Sequence, residues 1–173
     1  DAQTGVKKIF TDADMKSLLL ENNMQFSSAN SINWGRLAPQ IIYYISAYCD
    51  LLGSDEDLSD GFNVVVPTGN FGNILAAVYA KKMGVPVGKL ICASNANNVL
   101  TDFIETGVYD KRREFFKTVS PSMDILVSSN LERLLYLLSD GNADEVAGYM
   151  KDLNEKGYYK VSDSILNKLK ETF

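Results

Sequence analysis

Residues 64–73 read Val-Val-Val-Pro-Thr-Gly-Asn-Phe-Gly-Asn, and no other stretch restricts the fold of this chain as strongly. Three β-branched residues in succession favour a short strand, and their uniform apolarity suits a strand covered on both faces. Pro67 ends it, because proline has no N–H for a sheet ladder. Gly69 and Gly72 then give a turn that other groups can approach closely. The pattern over 73–83 is amphipathic with helical spacing, and it stops at Gly84. A strand that runs through a glycine turn into a helix gathers the helix's first N–H groups in one place. Those groups have no partner within the helix, and the helix dipole favours negative charge beside them. Gly69, Asn70, Phe71, Gly72 and Asn73 are therefore candidate anion ligands through their backbone. The same residues also suit a purely structural turn. The segment has no Gly-Lys-Ser/Thr and no Gly-x-Gly-x-x-Gly, which excludes a P-loop and a dinucleotide fingerprint.

A second buried strand at 89–93, a loop at 94–98 and a helix over 99–105 that Gly107 stops give the order strand, helix, strand, helix. That order implies an α/β fold, a parallel sheet flanked by helices. The length, 173 residues, suits a single α/β domain over 1–173. Ligands on such sheets bind beyond the carboxyl ends of the strands, where the loops 68–72 and 94–98 fall. Asn95, Asn97 and Asn98 lie in the second loop, although asparagine clusters also make ordinary turns. Upstream, Asp12 is placed to cap a short helix to Leu20, and 27–30 reads as a loop. A long helix is expected over 31–52, with Leu37, Ile41, Tyr44, Ile45 and Tyr48 on one buried face. Tyr43 is expected at the core or an interface with Tyr44 and Tyr48. The acidic residues 53–61 read as a surface loop. Residues 124–127 read as a third strand, and 131–138, 143–154 and 161–169 as helices.

Hydrophobic residues make up 46%, enough for a core and too many for a disordered chain. No apolar run approaches the roughly 18 residues of a membrane span. The net charge of −5 argues against a nucleic-acid surface, and Lys111-Arg112-Arg113 reads as a solvated cluster. Cys49 and Cys92 form neither a CxxC nor a metal-ligand spacing. They lie in apolar stretches, so buried free thiols and a cytoplasmic location are expected. With no histidine, these residues cannot form a Ser-His-Asp triad or a histidine-rich metal site. Acid–base chemistry would need other groups, or a cofactor.

Pro67-Thr68-Gly69-Asn70-Phe71-Gly72-Asn73 resembles the phosphate loop of threonine synthases, which are pyridoxal 5'-phosphate (PLP) enzymes related to the tryptophan synthase β subunit, of fold type II. Ser28-Ala29-Asn30-Ser31-Ile32-Asn33-Trp34-Gly35-Arg36 is similar to a second segment of that family. Residues 93–98 and 122–125 also match its patterns, and the resemblance runs from the first residues to about Leu138. It implies that the chain is part of the large domain of such an enzyme, with the PLP phosphate at Gly69, Asn70, Phe71, Gly72 and Asn73. The activity implied is conversion of O-phospho-L-homoserine and water to L-threonine and phosphate, in threonine biosynthesis. Neighbouring readings are a threonine synthase-like phospho-lyase or an amino-acid dehydratase. A reading of another class is a non-catalytic phosphate-binding module.

The resemblance also points to Ser31, Asn33 and Arg36 as substrate ligands. Asn33 and Arg36 are three apart at a helix start, and an arginine fork with hydroxyl and amide groups suits a phosphate. The plainer reading is a helix cap at Ser31 and a surface arginine. In the family the Schiff-base lysine lies N-terminal to the loop, in a segment that these residues do not include. No catalytic residue and no metal ligand is therefore expected here, and Lys81 and Lys82 are expected to face solvent. The chain opens Asp1-Ala2-Gln3 without an initiator methionine and runs out in a helical pattern at Phe173. An internal fragment, inactive by itself, is the expectation.

Overall fold

The structure, a computed structural model, describes residues 2–54 and 57–173. Two short helices, α1 (Ala2–Thr11) and α2 (Ala13–Glu21), precede α3 (Trp34–Leu37), a 3-10 turn at Ala38–Gln40 and α4 (Ile41–Leu52). Then come β1 (Phe62–Pro67), α5 (Gly72–Lys82), β2 (Val87–Ala93), α6 (Val99–Thr106) and β3 (Val108–Asp110). A 3-10 turn at Pro121–Met123 leads to α7 (Leu131–Leu138), α8 (Ala143–Glu155), β4 (Tyr158–Lys160) and α9 (Asp163–Thr172). Among the described residues, no helix is long and apolar enough to cross a membrane.

β1 and β2 pair in parallel, with Val66 opposite Cys92 and Pro67 opposite Ala93. The crossover is α5, so the α/β order is as the sequence implies: a parallel sheet flanked by helices. Gly84 and Gly107 carry φ of 101° and 73° just after α5 and α6, where left-handed backbone ends a helix. The burial of α5 departs from the expected stripe. Ile74, Leu75, Ala76, Ala77, Val78 and Ala80 are all buried, because the helix lies between the sheet and the α3–α4 segment. The alanines let both neighbours come close. β1 departs in the opposite sense. Val65 is 60% exposed and Ile91 43%, so among the described residues one face of the sheet is uncovered rather than buried.

The expected helix over 31–52 is broken. It starts at Trp34 with Asn33, not Ser31, as its cap, and it turns 3-10 at residues 38–40. Pro39 has no N–H to donate to the preceding turn, which interrupts the ladder. Leu37 and Tyr44 are buried, whereas Ile45 is 36% exposed and Tyr43 61% exposed, so the buried stripe is narrower than its apolar pattern. Cys49 is exposed on α4, against expectation, and Cys92 is half-buried. The acidic stretch 53–61 is loop up to β1, with residues 55 and 56 outside the described residues.

Residues 124–127 form no strand. Instead β3 and β4 make an antiparallel pair, with Tyr109 opposite Tyr159. Their rings stack at 5.4 Å, and Phe103 of α6 meets Tyr109 edge-on at 5.6 Å. Tyr149 of α8 stacks on Tyr159 at 5.4 Å, so this aromatic cluster ties α6 to α8 through the β3–β4 pair.

Candidate functional site

The polypeptide leaves the sheet at Thr68, whose N–H reaches Ala93 O at 2.9 Å and whose hydroxyl donates to Val66 O at 2.7 Å. The turn that follows takes its left-handed residue from Phe71, φ 63°, and from neither glycine. The glycines are needed for space. A Cβ on Gly69 would stand 2.6 Å from Ser122 O, and one on Gly72 would stand 2.6 Å from both Cβ and Oγ of Ser31. Among the described residues, the six N–H groups of residues 69–74 donate no hydrogen bond; the next, Leu75 N–H, reaches Phe71 O at 3.1 Å.

The carbonyls of the turn are tied down instead. Ser128 Oγ donates to Gly69 O at 3.0 Å, and Asn70 O accepts from Asn130 N at 3.2 Å and Asn130 Nδ2 at 2.9 Å. Across a trans peptide the C=O and the next N–H point in opposite directions. Anchoring the carbonyls of 69 and 70 to the 128–130 segment therefore aims the N–H groups of 70 and 71 away from it. A cavity of about 150 Å³ lies there, lined by Ser31, Gln40 and residues 66–74.

The structure brings Gly69, Asn70, Phe71, Gly72, Asn73 and Ser31 together around this cavity and leaves Asn33 and Arg36 outside it. Asn33 caps α3, accepting from Gly35 N–H at 2.9 Å and donating to Ser28 O at 2.9 Å. Arg36 is exposed on the next turn. The side chain of Asn73 is fixed by Tyr44, whose hydroxyl lies 2.7 Å from Asn73 Oδ1 and 2.9 Å from its carbonyl. Burial pushes the Tyr44 phenol up to about 12. Lys82 is exposed as expected, but Lys81 is half-buried and donates to Gly88 O at 2.6 Å, which latches α5 to β2.

Two residues that the sequence reading did not single out complete the site. Asn130 is fully buried; its side chain reaches Ser31 Oγ at 2.9 Å and receives Arg133 Nη1 at 2.5 Å. Arg133 also donates to the backbone carbonyls of Ser31 and Ile32. An asparagine just ahead of a leucine-rich helix reads as an ordinary cap, and that was the only local signal. In the structure its side chain makes no cap hydrogen bond to α7.

The 94–98 loop is tied to the segment that follows α6 and β3. Asn95 and Asn97 donate to Asp124 Oδ1 at 2.7 and 3.1 Å, and Thr118 adds its N–H and hydroxyl at 2.8 Å each. The Thr118 N–H first, then the side-chain donors, hold the Asp124 carboxyl below its ordinary range. These bonds fold 116–124 over the loop, so residue 124 has no ladder to join. Among the described residues no cluster suited to a metal ion is present.

No family model matches the chain. It is 50% identical over 175 residues to threonine synthase-like 1 of Homo sapiens, covering 99% of this chain and 23% of that protein. It is 37% identical over 182 residues to threonine synthase of Saccharomyces cerevisiae, covering 100% of this chain and 34% of that one. The chain thus spans between about a quarter and a third of the length of the curated relatives it matches, and the match extends past Leu138 to the last helix. A crystal structure of PLP-bound threonine synthase from Brucella melitensis superposes with a TM-score of 0.84 at 39% identity, over 99% of this chain and 35% of that one. The yeast threonine synthase structure gives 0.83 at 36% identity, over 97% and 33%. By sequence and by fold, these 173 residues match, over nearly their whole length, a part of the longer threonine synthases.

Proposed function

We propose that the cavity at residues 69–74 holds the phosphate of PLP, and that the whole protein converts O-phospho-L-homoserine and water to L-threonine and phosphate. The observation that carries this reading is the row of six N–H groups without protein acceptors at the amino end of α5. A phosphate dianion suits them. The helix dipole favours it, and each amide bond to it is charge-assisted. The missing side chains at Gly69 and Gly72 supply the room. The Brucella threonine synthase that shares this fold is solved with PLP bound, which supports the cofactor. When bound, PLP supplies an electron sink for charge developing on the substrate's carbons. The residues of this chain bind and orient it: Ser128 and Asn130 hold the turn's carbonyls back, and Tyr44 fixes Asn73. Proton transfer is assigned to a lysine elsewhere in the whole protein, so the 173 residues alone are read as a single inactive domain. A cytoplasmic place is read from the unpaired Cys49 and Cys92.

The test is Gly72→Val in the full-length protein. Its side chain would enter the space of Ser31 and part the amides from the phosphate. A charge-assisted bond contributes roughly 1.5–3 kcal/mol, so losing two weakens PLP binding by on the order of a hundredfold or more. Titration followed by PLP absorbance measures this, with circular dichroism as the control for folding. An unchanged affinity would mean that the loop is only a structural turn.

A second reading keeps the cofactor and changes the outcome, to a synthase-like lyase. It is favoured by the 50% identity to threonine synthase-like 1 against 37% to yeast threonine synthase. Phosphate release from O-phosphohomoserine without equimolar threonine would select it.

A further inference from the structure

We propose that Asp124 is a positioning residue for the phosphate loop: with Asn95, Asn97 and Thr118 it seats the turn at 121–123 against Gly69, and so holds the loop's amides in their binding arrangement. This rests on the phosphate-loop reading above. The 94–98 loop leaves the carboxyl end of β2 beside the end of β1, where ligands of such sheets are met. Its asparagines are spent on the segment 116–124 instead. Asn97, 5% exposed, clasps the backbone of Phe116, accepting its N–H on Oδ1 at 3.0 Å and donating Nδ2 to its carbonyl at 2.8 Å. Asn95 Oδ1 accepts from Asn97 N–H at 2.9 Å, which turns Asn95 Nδ2 to Asp124 Oδ1 and Thr118 Oγ1. Asp124 gathers the donors: Asn95 Nδ2, Asn97 Nδ2 and the Thr118 hydroxyl on Oδ1, the Thr118 N–H on Oδ2. Among the described residues no lysine or arginine pairs with this carboxylate, so directed bonds from neutral groups fix it.

The effect reaches the cavity through Gly69. Two residues before Asp124, Ser122 O stands so close that a Cβ on Gly69 would lie 2.6 Å from it, with Met123 Cα 3.8 Å away. The bare glycine lets this carbonyl pack directly on the loop's backbone. Ser128 Oγ holds Gly69 O at 3.0 Å. The Gly69 peptide is thus set by two segments, 116–124 and 128–130, and the first is itself held by Asp124. A carboxylate is what this place requires. An asparagine at 124 would turn its NH2 either to the Thr118 N–H or to the amides of Asn95 and Asn97, donor against donor.

The experiment uses the full-length protein, with PLP and with pyridoxal, which lacks the phosphate, as probes. Asp124→Asn is expected to weaken PLP binding about tenfold, as the loop's binding arrangement falls to about a tenth of the population, and to leave pyridoxal unchanged. Gly69→Ala, whose Cβ meets Ser122 O, should cost a similar factor. Both changes disturb the same contact. The double variant should therefore also lose about tenfold, where independent effects would multiply to about a hundredfold. If Asp124→Asn fails to fold by circular dichroism, Thr118→Val takes its place in the cycle, since it keeps the shape and removes one donor. Unchanged affinity for PLP overturns the proposal, as does an equal loss for pyridoxal or a double variant in which the losses multiply. If Gly72→Val weakens PLP binding and Asp124→Asn does not, only this proposal falls. If Gly72→Val leaves binding intact, the loop reading falls, and this proposal with it.

Discussion

Phe71 shows how local strain and packing are set against each other at this turn. Its left-handed backbone, φ 63°, costs an ordinary L-residue about 1–2 kcal/mol. Its ring is 1% exposed and meets Phe173 edge-on at 5.9 Å. Removing a buried phenylalanine side chain costs about 3–5 kcal/mol, so packing outweighs strain. Phe71→Gly is therefore expected to destabilise the protein by roughly 1–4 kcal/mol net, measured by urea unfolding. A more stable variant would show that the strain is the larger effect. Glycine is the residue that tolerates such backbone most easily, yet it is not the one that adopts it here. Gly69 and Gly72 instead give way to Ser122 and Ser31, neighbours that are remote along the chain.

At the level of elements, α5 is the piece on which the rest is assembled. It carries the open amides at one end, and its buried residues join the sheet to α4. Leu75 is fully buried one turn into the helix. Leu75→Ala should cost about 2–5 kcal/mol in urea unfolding, with the upper half of that range expected if the cavity does not collapse. A cost below about 1 kcal/mol would mean that α5 is loosely packed. β1, α5 and α6 were readable in advance because each combines an apolar run with a clear stop, at Pro67, Gly84 and Gly107 respectively. The three-residue strands β3 and β4 were not, since they are too short to show a period and become strands only by pairing across the chain. Residues 124–127 looked like a strand for the converse reason. Residues 125–127 are apolar, yet Asp124 ahead of them is claimed by Thr118, Asn95 and Asn97.

For the molecule as a whole, the titrating groups set a pH window for stability. Asp57, Asp110, Asp124 and Asp140 are all held below the ordinary 3.8, Asp110 at about 2 chiefly by the Arg112 side chain. A carboxyl lowered in the folded state contributes stability that is present above its unfolded value and lost as pH falls through the folded one. Stability should therefore drop from about pH 4 towards pH 2, and Asp110→Asn should flatten part of that limb in urea midpoints taken across the range. On the alkaline side, burial raises Tyr44 and Tyr109 from 10.0 to about 12. Their contribution is complete below pH 10 and disappears as pH rises towards 12. Tyr44→Phe removes its share of that dependence together with the bond to Asn73, so it should flatten part of the alkaline limb. An unchanged limb would count against burial as the cause.

What the sequence by itself determined lies within short windows. Residues 62–84 specify a strand, a turn and a helix because apolarity, proline and glycine act on the chain within a few residues. The same windows carry the phosphate-loop resemblance. What only the tertiary structure decided is which distant groups meet there. Asn33 and Arg36 stand close to Ser31 in sequence, yet the one caps α3 and the other faces solvent. Asn130 and Arg133, far along the chain, reach the turn and the Ser31 segment instead. A hydrogen bond records distance in space, not separation along the chain, and a buried asparagine shows its partners only once the fold has brought them within about 3 Å. That is why the loop was legible in the sequence and the residues that hold it were not.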